Sequence, residues 1–426
     1  MEAIHALGNG QRGGAQAAIA GLLLLAALAG CSSGAETERA AVGAVRPGIE
    51  VLLSDSLQLI RGRRLGLITN HTGIGRDGTP DVELLRALPP AEQVELATLF
   101  TPEHGYRGAL EGPVPDRQRD AGTGLRVYSL YGDTREPTPA MLRGLDVLLF
   151  DLQDIGARYY TYIWTMALAM KASAAAGIPF VVLDRPNPLG GLAVQGDISD
   201  LAHASFVGLY PIPMRHGMTP GELARLFNAR FRIGAELHVV PLEGWRRDWW
   251  FDQTGLPWVA PSPNMPSLES AAHYPGTCLF EGTNLSVGRG TARPFQQIGA
   301  PWLEAEALAR RLQALRLPGV RFETVEFTPR APSDGKFDGR RVRAVRFIVT
   351  DRSRYDPTLA GTAALLEARR LAGARWRWNA RHFDRLAGNS VLRAWIDEGR
   401  PLARILDAWA GRVEVFRRLR KRYLLY

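Results

Sequence analysis

Between residues 62 and 242, short uninterrupted apolar runs alternate with helical stretches, and each of the first four runs stops in a cluster of polar residues. Arg64-Leu65-Gly66-Leu67-Ile68-Thr69 turns at Asn70-His71-Thr72-Gly73. A helix-like stretch, Asp81 to Leu88, leads to Val94–Phe100 and then to Thr101-Pro102-Glu103-His104-Gly105-Tyr106-Arg107-Gly108. Leu145–Phe150 stops at Asp151-Leu152-Gln153-Asp154. Tyr159 to Ala176 has helical character and is stopped by Gly177. Ile178–Leu183 then ends at Asp184-Arg185-Pro186-Asn187. Thr219-Pro220-Gly221-Glu222 is a capping box that opens a helix through Phe231, and Glu236–Val240 is a fifth strand. Continuous apolar strands are buried on both faces, so the pattern predicts an α/β fold with a parallel sheet covered by helices. Right-handed crossovers place the strand ends on one edge, where ligands bind in open α/β sheets. All four polar clusters fall on that edge.

Residues 245–300 differ. Trp245, Trp249, Trp250 and Trp258 precede Pro261-Ser262-Pro263-Asn264-Met265-Pro266, and few regular elements fit. A long irregular segment inside a compact protein is usually functional, and indoles can stack on sugar rings. From residue 301 the pattern resumes: helix at Trp302–Leu315, strands at Val320–Phe327 and Val342–Val349, helix at Thr358–Ala372 and a helical run over 402–420. This is a smaller α+β domain.

The N-terminus stands apart. The apolar run Ala17–Ala29 followed by Gly30-Cys31-Ser32-Ser33 is too short for a transmembrane helix and has the form of a secretory signal. Leu28-Ala29-Gly30-Cys31 resembles a bacterial lipobox, which makes Cys31 the expected lipidation site and residues 31–45 a tether. The expected location is the periplasmic face of a bacterial membrane, the outer membrane in preference to the inner. Cys278 is the one other cysteine, so a disulfide framework is excluded. The net charge of +9 is carried almost wholly by arginine. It favours anionic wall polymer or lipid headgroups, and no nucleic-acid-binding motif accompanies it.

A Gly-x-Ser-x-Gly elbow, a Walker A loop, a His-Glu-x-x-His pair and a dinucleotide fingerprint are all missing from the sequence. Carboxylate-driven glycoside cleavage remains. It needs one acid for the leaving oxygen and a second group that activates water, attacks the sugar or orients a substrate amide. Glu103 leads, with His104 or Arg107 placed to tune it or bind substrate. Glu281, in Phe280-Glu281-Gly282-Thr283-Asn284-Leu285-Ser286, is second; Asp154 and Asp184 follow. A metal-dependent cell-wall amidase using His71, His104, His216 or His273 is an alternative, although no pair has ligand spacing. A non-catalytic muropeptide-binding lipoprotein is another.

These residues also match a known pattern. Gly66–Gly73, Pro102-Glu103-His104-Gly105, Asp151–Tyr162, Leu183–Pro188, Pro213–Thr219, Glu281–Ser286 and the closing Tyr423-Leu424-Leu425-Tyr426 resemble exo-β-N-acetylmuramidases of the NamZ type, glycoside hydrolase family 171. The resemblance implies a Rossmann-like catalytic domain over 46–244, a cleft segment over 245–300 and an α+β domain over 301–426, after a signal peptide at 1–30. It implies Glu103 as the catalytic glutamate and release of terminal N-acetylmuramic acid from MurNAc-GlcNAc fragments of peptidoglycan, with no cofactor and no metal. The lactyl carboxylate of such a substrate calls for a cation, and Arg158, Arg185, Arg215, Arg289 and Arg293 lie in or beside the matched segments. Asn70, His71, His104, Arg107, Asp154, Tyr160, Asp184, Asn187, His216 and Asn284 complete the expected substrate-binding set. One departure is Val194-Gln195-Gly196-Asp197, where many relatives of that type read Val-Glu-Gly-Pro.

Overall fold

A computed structural model describes residues 45–115 and 118–426; the apolar N-terminal run, the tether and Cys31 lie outside the described residues. Helix α1 (Gly48–Asp55) precedes β1 (Arg64–Thr69), α2 (Asp81–Arg86) and β2 (Glu95–Thr101). A two-residue strand β3 (Gln118–Arg119) is followed by β4 (Arg126–Ser129), α3 (Pro139–Leu142), β5 (Val147–Asp151), α4 (Tyr162–Ala176) and β6 (Phe180–Leu183). An antiparallel ribbon of β7 (Gln195–Ile198) and β8 (Pro213–Arg215) comes before α5 (Pro220–Arg230) and β9 (Leu237–Val240).

These strands, without the ribbon, make one sheet in the order β3-β4-β2-β1-β5-β6-β9. Every adjacent pair is parallel except β3–β4. Renumbering the parallel strands alone in chain order gives 3-2-1-4-5-6, the Rossmann arrangement. β5 and β6 are buried along their whole length, as their unbroken apolar sequences require. Five of the parallel strands match the sequence pattern. The sixth, β4, escapes it because Arg126-Val127-Tyr128-Ser129 is short and half polar. The Thr219 capping box forms as expected, with the Thr219 side chain accepting from the Glu222 amide.

The second half holds α6 (Leu268–Thr277), β10 (Gln297–Ala300), α7 (Ala305–Ala314), β11 (Val320–Phe327), β12 (Val342–Val349), α8 (Pro357–Ala372), α9 (Ala380–Ala387), α10 (Val391–Asp397) and α11 (Leu402–Arg420). Its sheet is antiparallel, in the order β10-β12-β11. Residues 245–300 are therefore more regular than their composition suggests. Pro266 before α6 and Pro275 inside it obscure a helix capped by the Ser267 hydroxyl. α6 crosses α8 at backbone contact: a Cβ on Gly276 would sit 1.9 Å from the Pro357 carbonyl oxygen. The C-terminus returns to the first sheet, where the Tyr426 hydroxyl donates to Asp184 (2.8 Å) and accepts from the Leu242 amide (2.7 Å).

Candidate active site

In a doubly wound sheet the usual ligand crevice lies where strand order reverses, here between the ends of β1 and β5. In this protein Phe251, Leu256, Pro257 and Val259 pack there against Thr72, Ile74 and Gln153, leaving about 10 Å³. That is no more than the ~10–15 Å³ one water needs. The open cleft lies beyond the end of β2 instead, with a volume of about 320 Å³. Such a space, at the low end of the roughly 300–1,000 Å³ of ligand pockets, suits one sugar residue rather than a length of polymer.

Glu103 and Glu281 both line this cleft. Glu103 leaves β2 through Pro102, and the chain then turns through two left-handed residues, His104 (φ 73°) and Gly105 (φ 74°). A non-glycine residue there is uncommon and costs backbone energy, a feature that concentrates at functional sites. His104 Nδ1 donates to the Leu110 carbonyl (2.8 Å), and the Leu110 amide donates back to the His104 carbonyl (3.1 Å). Together these fix the loop behind Glu103. The Thr161 hydroxyl, just before α4, donates to Glu103 Oε2 at 2.6 Å. Tyr131, beyond β4, borders Glu103 as well. Burial first, then the Glu103 charge and hydrogen bond, push its hydroxyl up to about 12, so it remains a neutral donor.

Glu281 sits in the short 3-10 helix Cys278–Gly282. Its Oε1 accepts from the Arg289 guanidinium at 2.7 Å. Burial alone would raise this carboxyl; the Arg289 charge and hydrogen bond, helped by Lys336, outweigh it and hold the group below its ordinary value. Glu281 is thus ionised at neutral pH, and Arg289 is engaged, with Glu111 also 3.8 Å away. Tyr160, Tyr274 and Phe295 line the cleft in edge-to-face contact, with centroids 6.1 and 4.7 Å apart. Three carboxylates line this sugar-sized cleft: Glu111 accepts from the Asn264 amide (2.5 Å), Glu103 is bordered by neutral hydroxyls, and Glu281 is clamped by a cation.

Two family models describing exo-β-N-acetylmuramidase NamZ match end to end, the N-terminal one over residues 65–269 and the C-terminal one over 272–426. The chain belongs to the NamZ family. A peptidoglycan β-N-acetylmuramidase NamZ of Bacillus subtilis (strain 168) is 44% identical over 412 residues, covering 96% of this chain and 98% of that protein. Two solved DUF1343-family proteins of Bacteroides fragilis NCTC 9343 share the fold, with TM-scores of 0.82 and 0.70 at 36% and 30% identity. Each comparison covers 90% of this chain and 99% of the other.

Among the residues the sequence marked for substrate in this NamZ-family chain, His104, Tyr160 and Arg289 line the cleft beside Glu103 and Glu281. The others do not line it, and several of them brace the fold around it. The Asn70 amide donates to the Tyr162 hydroxyl (2.9 Å), which donates to the Pro261 carbonyl (2.6 Å). His71 Nε2 donates to the Ala260 carbonyl at 2.8 Å, and Gly108 lies flush on its ring. These contacts seat the 260–264 loop, which supplies Ser262 and Asn264 to the cleft. Arg107 points outward to Asp120 (2.8 Å). Asp154 is buried, accepts from the Gly156 amide (2.7 Å) and lies 3.6 Å from His216. Asp184 accepts from Gly221, Thr219 and Tyr426. Arg185 forks onto Asp151, and Asn187 donates to the Met218 carbonyl (2.9 Å).

Arginine placement departs most from expectation. Fully buried Arg158 donates to the carbonyls of Asp197 (2.8 Å), Ile212 (3.1 Å), Leu386 (2.8 Å) and Ala387 (2.9 Å). Arg215 is buried against Gln195 (2.9 Å) and the Trp250 ring. Gln195 is thus a packing partner outside the cleft. Arg293 borders a different groove, and Asn284 bridges to the backbone of Arg375 and Arg377. Trp245, Trp249, Trp250 and Trp258 do not line the cleft; Trp245 packs on Tyr426 and Trp258 on Phe251. His273 bonds the Tyr355 hydroxyl, and among the described residues no three His, Cys, Asp or Glu side chains converge to hold a metal ion.

Several cleft residues were not singled out from sequence: Tyr131, Arg135, Thr161, Tyr274, His382 and Arg385. Thr161 sits inside a matched segment, Tyr160-Thr161-Tyr162. His382 and Arg385 ride on α9, whose ends were visible in principle: the Asn379 side chain caps it and left-handed Gly388 terminates it.

Proposed function

We propose that this NamZ-family chain is an exo-acting glycosidase that releases terminal β-N-acetylmuramic acid from peptidoglycan fragments. The observation that carries the proposal is the pairing of Glu103 and Glu281 in one cleft with opposite electrostatic settings. Glu103 is the general acid/base, positioned by the Thr161 hydroxyl and bordered by neutral Tyr131. Glu281, held ionised by Arg289, faces the positive charge that builds on the sugar ring or orients the 2-acetamido group for attack. The cleft volume of about 320 Å³ favours a single terminal sugar and so exo action.

The test is release of N-acetylmuramic acid from MurNAc-GlcNAc by the mature protein in EDTA, with Glu103→Gln beside it. The variant is expected to lose about 10²–10⁴ in kcat, the usual contribution of a general acid–base group. No release by the wild type, or a variant that keeps its rate, overturns the proposal.

Export and anchoring through Cys31 complete it, on the strength of the Leu28–Cys31 sequence. Among the described residues no helix is long and apolar enough to cross a membrane. Labelled palmitate entering the wild type but not Cys31→Ser is the expected result.

A further inference from the structure

We propose that Arg385, with Leu386 beside it, reads the lactyl group of the terminal sugar and so makes the cleft specific for muramic acid over glucosamine. The inference rests on the glycosidase function proposed above and names the residue that sets its specificity. The lactyl group is a carboxylate and a methyl on one carbon. Recognition needs a cation free to pair and an apolar contact next to it.

Three arginines line the cleft: Arg135, Arg289 and Arg385. Arg289 is neutralised by Glu281 at 2.7 Å. Arg135 stacks on Tyr131, 3.8 Å from the ring centroid, and on Phe206 at 4.5 Å. That places it on the Glu103 side, where the leaving sugar departs. Arg385 is exposed to the cleft and has no carboxylate partner among the described residues. The neighbouring acid, Asp384, is taken by Arg393 in a two-pronged pair at 2.8 Å.

Arg385 Nη2 donates to His382 Nδ1 at 2.6 Å. A guanidinium can only donate, so Nδ1 is the acceptor and His382 is neutral, with its proton on Nε2. His382 lies within the field of Glu281. Arg385, which bonds His382, lines the same cleft as the ionised carboxylate. On the sugar, the lactyl ether at C3 is one carbon removed from the 2-acetamido group at C2. If Glu281 faces that group, Arg385 faces the lactyl carboxylate. Leu386 also lines the cleft, and its almost fully buried side chain leaves a small apolar contact for the methyl.

The support is rigid. Arg158 ties the Leu386 and Ala387 carbonyls at 2.8 and 2.9 Å, and Asn379 caps the other end of α9. A binding group on a tethered helix keeps its geometry better than one on a loop.

The test measures KM for an aryl β-N-acetylmuraminide and inhibition constants for free N-acetylmuramic acid and N-acetylglucosamine. For Arg385→Gln, KM and the muramic acid constant are expected to rise about 10- to 100-fold, as loss of a charge-assisted carboxylate contact does. The glucosamine constant is expected to stay within about twofold, and Arg385→Lys to recover part of the loss. Equal weakening of both sugars, no weakening of either, or the selective loss appearing in Arg135→Gln instead, overturns the inference while leaving a wild type that still turns over substrate. A wild type that neither cleaves the muraminide nor binds muramic acid overturns the glycosidase function itself.

Discussion

Arg158→Met separates two roles that the sequence alone leaves mixed. As a ligand of substrate, Arg158 would set KM and leave stability alone. The structure makes it a brace. Its guanidinium is fully buried, and its four donations link the ribbon β7–β8 to the end of α9. Methionine fills much of the volume but donates nothing, so four buried carbonyls lose a charged partner. Leaving a buried acceptor unpaired costs about 1–3 kcal/mol. Some carbonyls will find water, and part of the cost returns because the buried guanidinium no longer has to be desolvated. A net loss of about 3–5 kcal/mol follows, close to the value for breaking a buried charged network. At roughly 2 °C per kcal/mol for a chain of this size, Tm falls by about 6–10 °C. The assay is thermal unfolding followed by intrinsic fluorescence, paired with KM at a temperature where both proteins are folded. Lysine should not rescue, because one ammonium cannot reach four carbonyls in a fork. A Tm within about 1 °C of wild type, with KM raised more than about tenfold, would refute the reasoning and return Arg158 to the substrate.

Other outcomes follow from the same geometry. Removing Arg289, as Met, takes away the largest opposition to burial at Glu281 and leaves only the weaker Lys336 charge, so its carboxyl rises. Depressed, the group contributes stability above its unfolded value and loses it only as pH falls through the folded one. Raised, it protonates earlier on descent, and the acid limb of kcat/KM moves to higher pH; a pH profile in which that limb stays put refutes the role. Gln195→Glu puts a carboxylate against Arg215, whose guanidinium burial lowers to about 10. A buried pair roughly breaks even, so stability should shift by less than about 1 kcal/mol with kcat/KM unchanged, because the pair lies outside the cleft; a large gain in kcat/KM contradicts that placement.

The parallel sheet was legible because a strand covered on both faces must be apolar at every position. β1, β5 and β6 carry that signature in a few residues each. β4 and the β7–β8 ribbon were not, since they are short and partly polar. α6 hid behind Pro275, which stands in its last turn beside Gly276, where α8 packs at backbone distance. Glu103 could be read from its loop: a carboxylate after a buried strand, followed by residues suited to a sharp turn. Glu281 was visible as an acid in a matched segment, but its ionised state was not, because Arg289 sets it through space.

What the sequence determined by itself is what depends on near neighbours in the chain: strand burial, helix caps, the polar cluster at each strand end and the family pattern. What only the tertiary structure decided is which charges are available. An arginine looks the same in sequence whether it faces solvent, carboxylate or carbonyl. The four carbonyls on Arg158 come from residues between 39 and 229 positions away, and those distant groups make it a brace. Arg385 keeps its charge free for a ligand because Asp384 is already paired with Arg393. Electrostatic roles are fixed by separations of a few ångströms in space, and chain distance carries almost none of that information.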